Sequence, residues 1–348
     1  MEGGAMSAVR RLRAGLRGWG GVGAMAVLCA LTVIFALVLP ISGTRGGGIT
    51  GTGGPGVARG TQARADECDT MDDPENQSLR PSASESGTTI ARIKKNGYIT
   101  IGVDQNSYRW GYRDPNNTEA GAELEGFDID LAHRIAQEIL GDPTKVRFRA
   151  IPTNQRIPAI ESGQVDMVVR TMTISCKRMK EVAFSQPYFK TGQQVLAPKS
   201  STIKGYDKTL ADKKVCVASG STALTTLEGD QKANKPVASA KILKVPNQLD
   251  CLVRLQLGEA DAVVTDGALA ASQAAQDPTV ELKGDPFTTE YYGVAMNLEA
   301  EDLVRRVNQV LVDYLKDGWQ DSYTRWLSAT LGTDSASSRP PADQQYRD

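Results

Sequence analysis

Several polar side chains with the chemistry to bind a carboxylate follow a short apolar run at residues 165–169. The run is mostly β-branched, which predicts a buried strand of an α/β sheet. Beyond its carboxyl end come Thr171, Thr173, Ser175 and, within one helical turn, Arg178. Ligands of open α/β sheets bind at the carboxyl ends of strands, and a guanidinium fork can hold both carboxylate oxygens at once. The alternative is a surface arginine that pairs with a nearby acid.

Other polar residues stand at the ends of other predicted elements. Asp104 closes a strand that begins near Tyr98, and Asp266 closes a strand that begins near Ala262. Ser221 and Thr222 follow a glycine at the predicted start of a helix, where free backbone N–H groups suit an anion. Each pattern also has a structural explanation, because acids and hydroxyl residues are common in turns and at helix N-caps.

Alternating helices and strands must position these side chains. The stretch EGFDIDLAHRIAQEIL predicts an amphipathic helix with Phe127 and Leu131 on its apolar side. Acids at the start of this helix, such as Asp128, are favoured there regardless of function. The stretch DCLVRLQLGEADAVVTD repeats the order of helix, buried strand and polar strand end that surrounds Arg178. Two such units indicate two related lobes.

The segment at residues 164–189, which contains Arg178, resembles the signature of family 3 extracellular solute-binding proteins, the polar-amino-acid receptors of ABC importers. The matching residues are Thr171, Thr173, Ser175, Arg178, Phe184, Ser185 and Tyr188. The resemblance runs from about residue 88 to 331. It implies an α/β, two-lobe, periplasmic-binding-protein-like fold (type II, venus flytrap) with mostly parallel sheets and two interlobe crossings. Lobe 1 would comprise residues 88–192 with 291–332, and lobe 2 residues 193–290.

The resemblance also implies which side chains bind an L-amino acid. The carboxylate would meet Arg178 and the hydroxyl groups around it, and the ammonium group would meet two acids. Arg156, in the context Gln-Arg-Ile-Pro, would reach the ligand side chain, although a solvated arginine is the alternative. The full expected set is Asp104, Trp110, Arg156, Thr171, Thr173, Arg178, Ser221, Thr222 and Asp266.

Arg170 departs from the glutamine-binding members of this family, which carry a small residue at its position. With Arg156 it supplies a surplus of positive charge, which favours glutamate or aspartate over glutamine or asparagine. The partner of Arg170 is left open. A protein carboxylate that neutralised it would leave a pocket that also accepts an amide.

Four of the five cysteines, all except Cys29, allow three disulfide pairings. An exported chain favours disulfides over free thiols, although four free buried thiols are the alternative. On the fold that the resemblance implies, Cys216 and Cys251 lie in one lobe and are expected to pair. Cys68 is then expected to pair with Cys176.

The amino-terminal part predicts export. Four arginines within residues 1–21 precede an apolar run at 22–42, which is long enough to cross a bilayer. We expect an uncleaved membrane anchor with the rest of the chain outside the cytoplasm; a cleaved signal peptide is the alternative. Composition predicts a flexible stalk at residues 43–87 and a disordered tail at 333–348.

These features predict the extracytoplasmic binding component of an ABC importer, a monomer that delivers an amino acid to permease subunits in the membrane. A sensor ectodomain or a dehydratase of the same fold is the alternative. A formal charge of -1 gives no basis for nucleic-acid binding. His133 is the only histidine, so neither a metal, a cofactor nor histidine-based catalysis is expected.

Overall fold

The structure is a computed structural model that describes residues 73–114, 116–117, 123–342 and 345–348. The strands are β1 (Ile99–Val103), β2 (Asn106–Ser107), β3 (Gly111–Tyr112), β4 (Val146–Ala150), β5 (Met167–Val168), β6 (Ala183–Phe184), β7 (Phe189–Thr191), β8 (Gln193–Pro198), β9 (Lys214–Ala218), β10 (Lys241–Val245), β11 (Ala262–Asp266), β12 (Val280–Lys283), β13 (Glu290–Tyr292) and β14 (Ala295–Met296). The α-helices are α1 (Thr88–Asn96), α2 (Phe127–Leu140), α3 (Arg156–Glu161), α4 (Cys176–Met179), α5 (Thr222–Lys232), α6 (Gln248–Gln256), α7 (Gly267–Gln276), α8 (Glu301–Asp317), α9 (Trp319–Trp326) and α10 (Ser328–Leu331). Short 3-10 turns lie at Pro74–Asn76, Thr153–Gln155 and Lys208–Leu210.

Lobe 1 is built on a five-stranded sheet with the order β4-β1-β5-β14-β6. The β4, β1 and β5 strands run parallel, while β14 is antiparallel to both of its neighbours. Because β14 comes from the far end of the chain, its place between β5 and β6 shows that the chain returns to lobe 1.

Lobe 2 has the same arrangement in a sheet with the order β10-β9-β11-β8-β12. Here β8 is the antiparallel strand, between β11 and β12. The two-lobe α/β fold is therefore confirmed. Each sheet is mixed, with two parallel and two antiparallel pairings, rather than mostly parallel, because a crossing strand enters each sheet from the other lobe.

The two chain crossings meet in a small antiparallel ribbon of β7 and β13, in which Thr191 pairs with Glu290. The crossings approach each other closely. A Cβ atom on Gly192 would lie 2.0 Å from the carbonyl oxygen of Thr288. No side chain fits at this separation, so glycine is required where β7 continues into β8.

Each lobe has its own core. The core of lobe 1 is rich in large aromatic side chains, which are Trp110, Phe127, Tyr188, Phe189, Tyr292, Tyr314, Trp319 and Tyr323. The core of lobe 2 is mainly aliphatic and includes Val195, Val217, Leu227 and Val264. Each edge-to-face aromatic pair adds about 0.5 to 1.5 kcal/mol beyond the burial of the two rings.

A disulfide ties β9 to α6 in lobe 2. Cys216 and Cys251 are bonded across a sequence separation of 35 residues, with 5.4 Å between their Cα atoms, so this predicted pairing is confirmed. Cys176 is also disulfide-bonded. Its predicted partner, Cys68, lies outside the described residues, so that pairing stays a prediction.

Segments expected to be a stalk and a tail make specific contacts with lobe 1. The Ser78 hydroxyl donates to the carbonyl oxygen of Phe184 at 2.8 Å, and the Asn308 amide donates to the Ser78 oxygen at 2.7 Å. The Arg305 guanidinium of lobe 1 donates to the carbonyl oxygen of Arg80 at 3.3 Å, and the backbone N–H of Arg80 donates to the Asp348 carboxylate of the tail at 2.8 Å. These contacts follow from the burial of Ser78 and its neighbour Leu79 against lobe 1.

Within the described part of the chain, no helix combines the length and apolar character that a membrane span requires. The predicted anchor at residues 22–42 lies outside that part.

Candidate ligand-binding site

Arg178 is buried between the lobes on α4, where the side chain of Ser175 caps the helix. Its Nη1 donates to the carbonyl oxygen of Thr173 at 2.6 Å, and its Nη2 donates to that of Gly220 at 3.0 Å. Gly220 belongs to lobe 2, so this guanidinium spans the cleft. Burial lowers the pKa of Arg178, and the negative charges of Glu290 and Asp266 act against that shift.

Arg156 opens α3 and is also buried. Its guanidinium donates to three backbone carbonyl oxygens, those of Thr153 at 2.9 Å, Arg170 at 3.2 Å and Gly220 at 3.4 Å. Burial lowers its pKa well below the usual range, and the charges of Arg178 and Arg170 lower it further. Two arginines of lobe 1 therefore meet one carbonyl group of lobe 2.

Arg170 has a protein counterion, which answers the question left open by the sequence. Its Nη2 lies 2.8 Å from Oδ2 of Asp104, and the two side chains are 0% and 6% exposed. The Nη1 atom donates to the Thr153 hydroxyl at 3.0 Å, and Nη2 also donates to Asn247 of lobe 2 at 3.1 Å. A buried pair of this kind neutralises the positive charge that Arg170 was expected to offer a ligand.

Asp104 has no acceptor position left for an ammonium group. Its Oδ1 accepts the backbone N–H groups of Gln105 at 2.8 Å and Asn106 at 3.0 Å. Its Oδ2 accepts the Ser107 hydroxyl at 2.8 Å and pairs with Arg170. A carboxylate offers about four lone-pair positions, and these four partners fill them. The structure thus differs from the ammonium-binding role expected for Asp104.

Asp266 ends β11 inside the cleft and is buried. One of its oxygens accepts the Gln193 amide and the other accepts the Tyr292 hydroxyl. Burial, followed by repulsion from Glu290, raises the pKa of Asp266 to about 7. Each oxygen keeps one lone-pair position beyond these contacts, so Asp266 can still accept from an ammonium group.

Glu290 also belongs to the site, although it was not among the predicted residues. It lies on β13 and is only 8% exposed. Its Oε2 accepts the hydroxyl groups of Thr173 at 2.7 Å and Thr222 at 3.1 Å, one from each lobe. The available signal was a single acid among the apolar and aromatic residues of a crossing strand.

Ser221 and Thr222 begin α5 but differ in their contacts. The Ser221 side chain accepts the backbone N–H of Leu224 at 3.1 Å, which is the N-cap role that its sequence context also allowed. Thr222 instead turns its hydroxyl into the cleft, where it also accepts the Gln193 amide at 2.9 Å.

Thr171 has an unusual backbone, with φ at 41°. This left-handed conformation is costly for a β-branched residue. The N–H of Thr171 donates to Asp128 at 3.0 Å, and the Tyr188 hydroxyl donates to the same carboxyl group at 2.9 Å. Burial raises the pKa of Asp128 to about 7. Asp128 thus fixes the turn that places Arg170 and Thr173.

Trp110 was expected at the ligand but belongs to the core of lobe 1. It is fully buried, with ring centroids 4.8 Å from Phe189, 5.5 Å from Phe127 and 5.7 Å from Tyr292. Its large apolar ring gains more from this packing than from a place in a polar cleft. Trp110 contacts the site indirectly, through the ring of Tyr292, which donates to Asp266, and through its carbonyl oxygen, which accepts the N–H of Asp128 at 2.9 Å.

A cavity of about 620 Å³ opens between the lobes beside these groups. Thr173 and Arg178 line it from lobe 1, Gly220 and Thr222 line it from lobe 2, and Glu290 lines it from the crossing. Of the predicted residues, Thr173, Arg178, Ser221 and Thr222 line this cavity, and Glu290 is added to them. The buried side chains of Arg156 and Asp266 do not line it but adjoin those that do, through Gly220 and Gln193.

Comparison with known proteins agrees with this geometry. The profile of bacterial extracellular solute-binding proteins, family 3, matches residues 99–329. The ABC transporter glutamine-binding protein GlnH of Bacillus subtilis (strain 168) is 35% identical over 240 residues, which are 69% of this chain and 84% of that protein. The glutamate-binding protein GluB of Corynebacterium efficiens is 29% identical over 267 residues, which are 72% of this chain and 85% of that protein.

Solved structures show the same fold. The crystal structure of the solute receptor for L-cysteine of Neisseria gonorrhoeae has a TM-score of 0.65 at 28% sequence identity, covering 74% of this chain and all of that one. The predicted resemblance is confirmed by the profile match, by these identities and by the shared fold, and the chain belongs to family 3 of the bacterial extracellular solute-binding proteins.

Proposed function

We propose that this protein is the extracytoplasmic receptor of an ABC importer and that it binds a polar L-amino acid without changing it. The observation that carries this proposal is the convergence of charged groups from both lobes on one cleft. Buried Arg178 and Asp266 supply one positive and one negative partner there. A zwitterion has both charges to match. Two relatives of this protein are named as a glutamine-binding and a glutamate-binding protein.

In the proposed complex the ligand's carboxylate binds Arg178 and the hydroxyls of Thr173 and Thr222. The ammonium group binds Asp266, because Asp104 is engaged with Arg170. Binding requires Arg178 to exchange backbone carbonyl partners for the ligand, which its flexible side chain permits. A charge-assisted bidentate contact is stronger than the neutral contacts that it replaces.

Arg156 is the arginine proposed to face the ligand side chain. Its three hydrogen bonds go to backbone carbonyl groups. With Arg170 neutralised, the cleft has less surplus positive charge than the sequence indicated. We therefore propose that glutamate and glutamine both bind, with dissociation constants within about tenfold of each other, a difference of no more than about 1.4 kcal/mol.

Delivery to a permease completes the proposal. The segment at residues 22–42 would anchor the chain in the membrane, and the lobes would close around the amino acid before docking on permease subunits. Because Ser78 and Arg80 contact lobe 1, lobe 2 would be the lobe that moves relative to the predicted stalk.

A thermal-shift screen of the full chain against the twenty amino acids tests the binding step. A ligand that binds only the folded state raises the melting temperature, so glutamate and glutamine are expected to give the largest shifts. Mass spectra of the incubated ligands are expected to show no product. Conversion of prephenate or arogenate would instead support a dehydratase, and the absence of any shift would reject amino-acid binding.

A further inference from the structure

Glu290 stands at the junction of the two lobes and the crossing strands. It lies on β13 and pairs with Thr191 of β7. Its Oε2 atom accepts the hydroxyl of Thr173 in lobe 1 at 2.7 Å and that of Thr222 in lobe 2 at 3.1 Å. One carboxylate oxygen thus connects both lobes to the crossing.

These two hydroxyls are the groups proposed to bind the ligand's carboxylate. A hydroxyl carries one proton and donates one hydrogen bond at a time. Glu290 and a ligand carboxylate therefore cannot both hold these donors at full strength. The contact with Glu290 consists of protein atoms alone, so the protein can form it before an amino acid enters.

The charges around Glu290 are also those that a ligand carboxylate would meet. After burial, Glu290 has the largest influence on the pKa of Arg178, which it raises. It also raises the pKa of Asp266 by repulsion. Glu290 therefore accepts from the hydroxyl groups, and interacts with the arginine and the acid, that the ligand's carboxylate is proposed to meet.

We propose that Glu290 is an internal carboxylate that competes with the ligand's carboxylate for the hydroxyls of Thr173 and Thr222. This inference rests on the proposed function. While Glu290 holds both hydroxyls, it draws the lobes together. An entering amino acid must displace it, so Glu290 weakens the affinity of the cleft for its ligand.

Calorimetric titration of the full chain with glutamine and glutamate tests the competition. Glu290→Gln keeps the size of the side chain but removes its charge, and hydrogen bonds to charged groups are the stronger ones. The variant is expected to bind both ligands on the order of tenfold more tightly than the wild type. Glu299→Gln changes an exposed acid outside the cleft and is expected to match the wild type. Weaker binding by Glu290→Gln would show that Glu290 holds the ammonium group, and unchanged binding would show no competition; either result overturns the proposal.

Hydrogen–deuterium exchange without added amino acid provides a second test that does not depend on ligand binding. Glu290→Ala removes the connection between the lobes. Peptides that contain Thr173 or Thr222 are expected to exchange faster in this variant than in the wild type, while peptides from α8 stay unchanged. If these peptides exchanged at the same rate in Glu290→Ala and in the wild type, the proposal would be overturned, even if no amino acid bound. If faster exchange were seen and no amino acid bound, the proposed function alone would fail.

Discussion

At the scale of single residues, the pairing of charges decides what a ligand meets in the cleft. Three arginines face three acids there, and burial makes each pairing matter more than it would at the surface. The buried pair of Arg170 and Asp104 removes one charge of each sign from recognition. The charged side chains that remain to interact with a ligand are those of Arg156, Arg178, Asp266 and Glu290.

Removing the counterion of Arg170 should change the preference between ligands. In Asp104→Asn the guanidinium of Arg170 loses its negative partner and becomes available to a second carboxylate. The ratio of glutamate to glutamine affinity should therefore rise about tenfold, since charge-assisted bonds exceed neutral ones by about 1 kcal/mol or more. Calorimetry with both ligands measures this ratio.

The matched control is Asp317→Asn, in which an acid with a 55% exposed side chain is changed. The ratio of glutamate to glutamine affinity in this control should equal that of the wild type. Melting curves of both variants establish that they fold. A folded Asp104→Asn protein with an unchanged ratio would mean that Arg170 does not reach the ligand.

The affinity should depend on pH through Asp266. Its pKa is raised to about 7 by burial and by Glu290, so below that pH the carboxyl group is largely protonated. Binding an ammonium group requires the ionised form, and the proton must leave. The dissociation constant should therefore increase as the pH falls below about 7, by at most about tenfold per pH unit.

Titrations between pH 5 and pH 8 with glutamine measure this dependence, because the glutamine side chain does not titrate in that range. Asp266→Asn should bind more weakly at every pH and lose most of the slope. A wild-type affinity that stays constant over the range would remove Asp266 as the ammonium partner.

At the scale of elements, the sequence predicted where strands end and helices begin. The run before Thr171 is indeed a strand, β5, and Thr222 starts a helix. These features were predictable because apolar periodicity and capping residues act over a few positions along the chain. The residues that approach a ligand from such ends, including Arg178 and Asp266, were found in this way.

Features that depend on distant parts of the chain could not be predicted. The pairing of β7 with β13 places Glu290 beside Thr173, 117 positions away. Trp110 points into the core of lobe 1 because its ring packs against those of Phe189 and Tyr292, which lie on the two crossing strands. The contact between Arg170 and Asp104 likewise needs β1 and β5 to be neighbours.

The disulfide between β9 and α6 should stabilise lobe 2. Closing a loop of 35 residues restricts the unfolded chain, which is worth about 2 to 4 kcal/mol. The double variant Cys216→Ala, Cys251→Ala should therefore lower the free energy of unfolding by about this amount. Urea denaturation followed by circular dichroism measures it.

Val253→Ala provides a control on the same helix, because this side chain is 46% exposed. Its effect should stay within about 0.5 kcal/mol. A double cysteine variant as stable as the wild type would show that the bridge contributes nothing to the stability of lobe 2.

At the scale of the whole molecule, the lobes meet through a few polar contacts beside the cleft. The carbonyl oxygen of Gly220 accepts from both Arg156 and Arg178. The backbone N–H of Thr153 donates across to Pro246 at 3.2 Å. These polar contacts act together with apolar packing, because Ala268 and Leu269 of lobe 2 lie against the core of lobe 1.

Gly220 is the point at which a side chain should oppose closure. Its φ is 77°, and a Cβ atom there would lie 2.9 Å from the Cα atom of Asn154 in lobe 1. In Gly220→Ala the added Cβ atom should keep the lobes from reaching their closed separation, and overpacking of this kind costs about 1 to 3 kcal/mol, so ligand binding should weaken about tenfold or more. Calorimetry measures the loss.

Gly229→Ala is the matched control, because it lies in α5 and a Cβ atom there has no neighbour within 4 Å. That variant should bind like the wild type. Wild-type affinity in Gly220→Ala would show that the close approach at this glycine is not needed for binding.

Titration of the full-length wild type and Arg178→Ala with glutamine and glutamate tests the central claim most directly. Arg149→Ala, which changes an exposed arginine on the edge strand β4, serves as the control. We predict saturable binding by the wild type and the control, and a loss of about two to four decades in affinity for Arg178→Ala, because a buried carboxylate without its partner costs about 3 to 5 kcal/mol. Binding by a folded Arg178→Ala protein within a few-fold of the wild type would contradict the account.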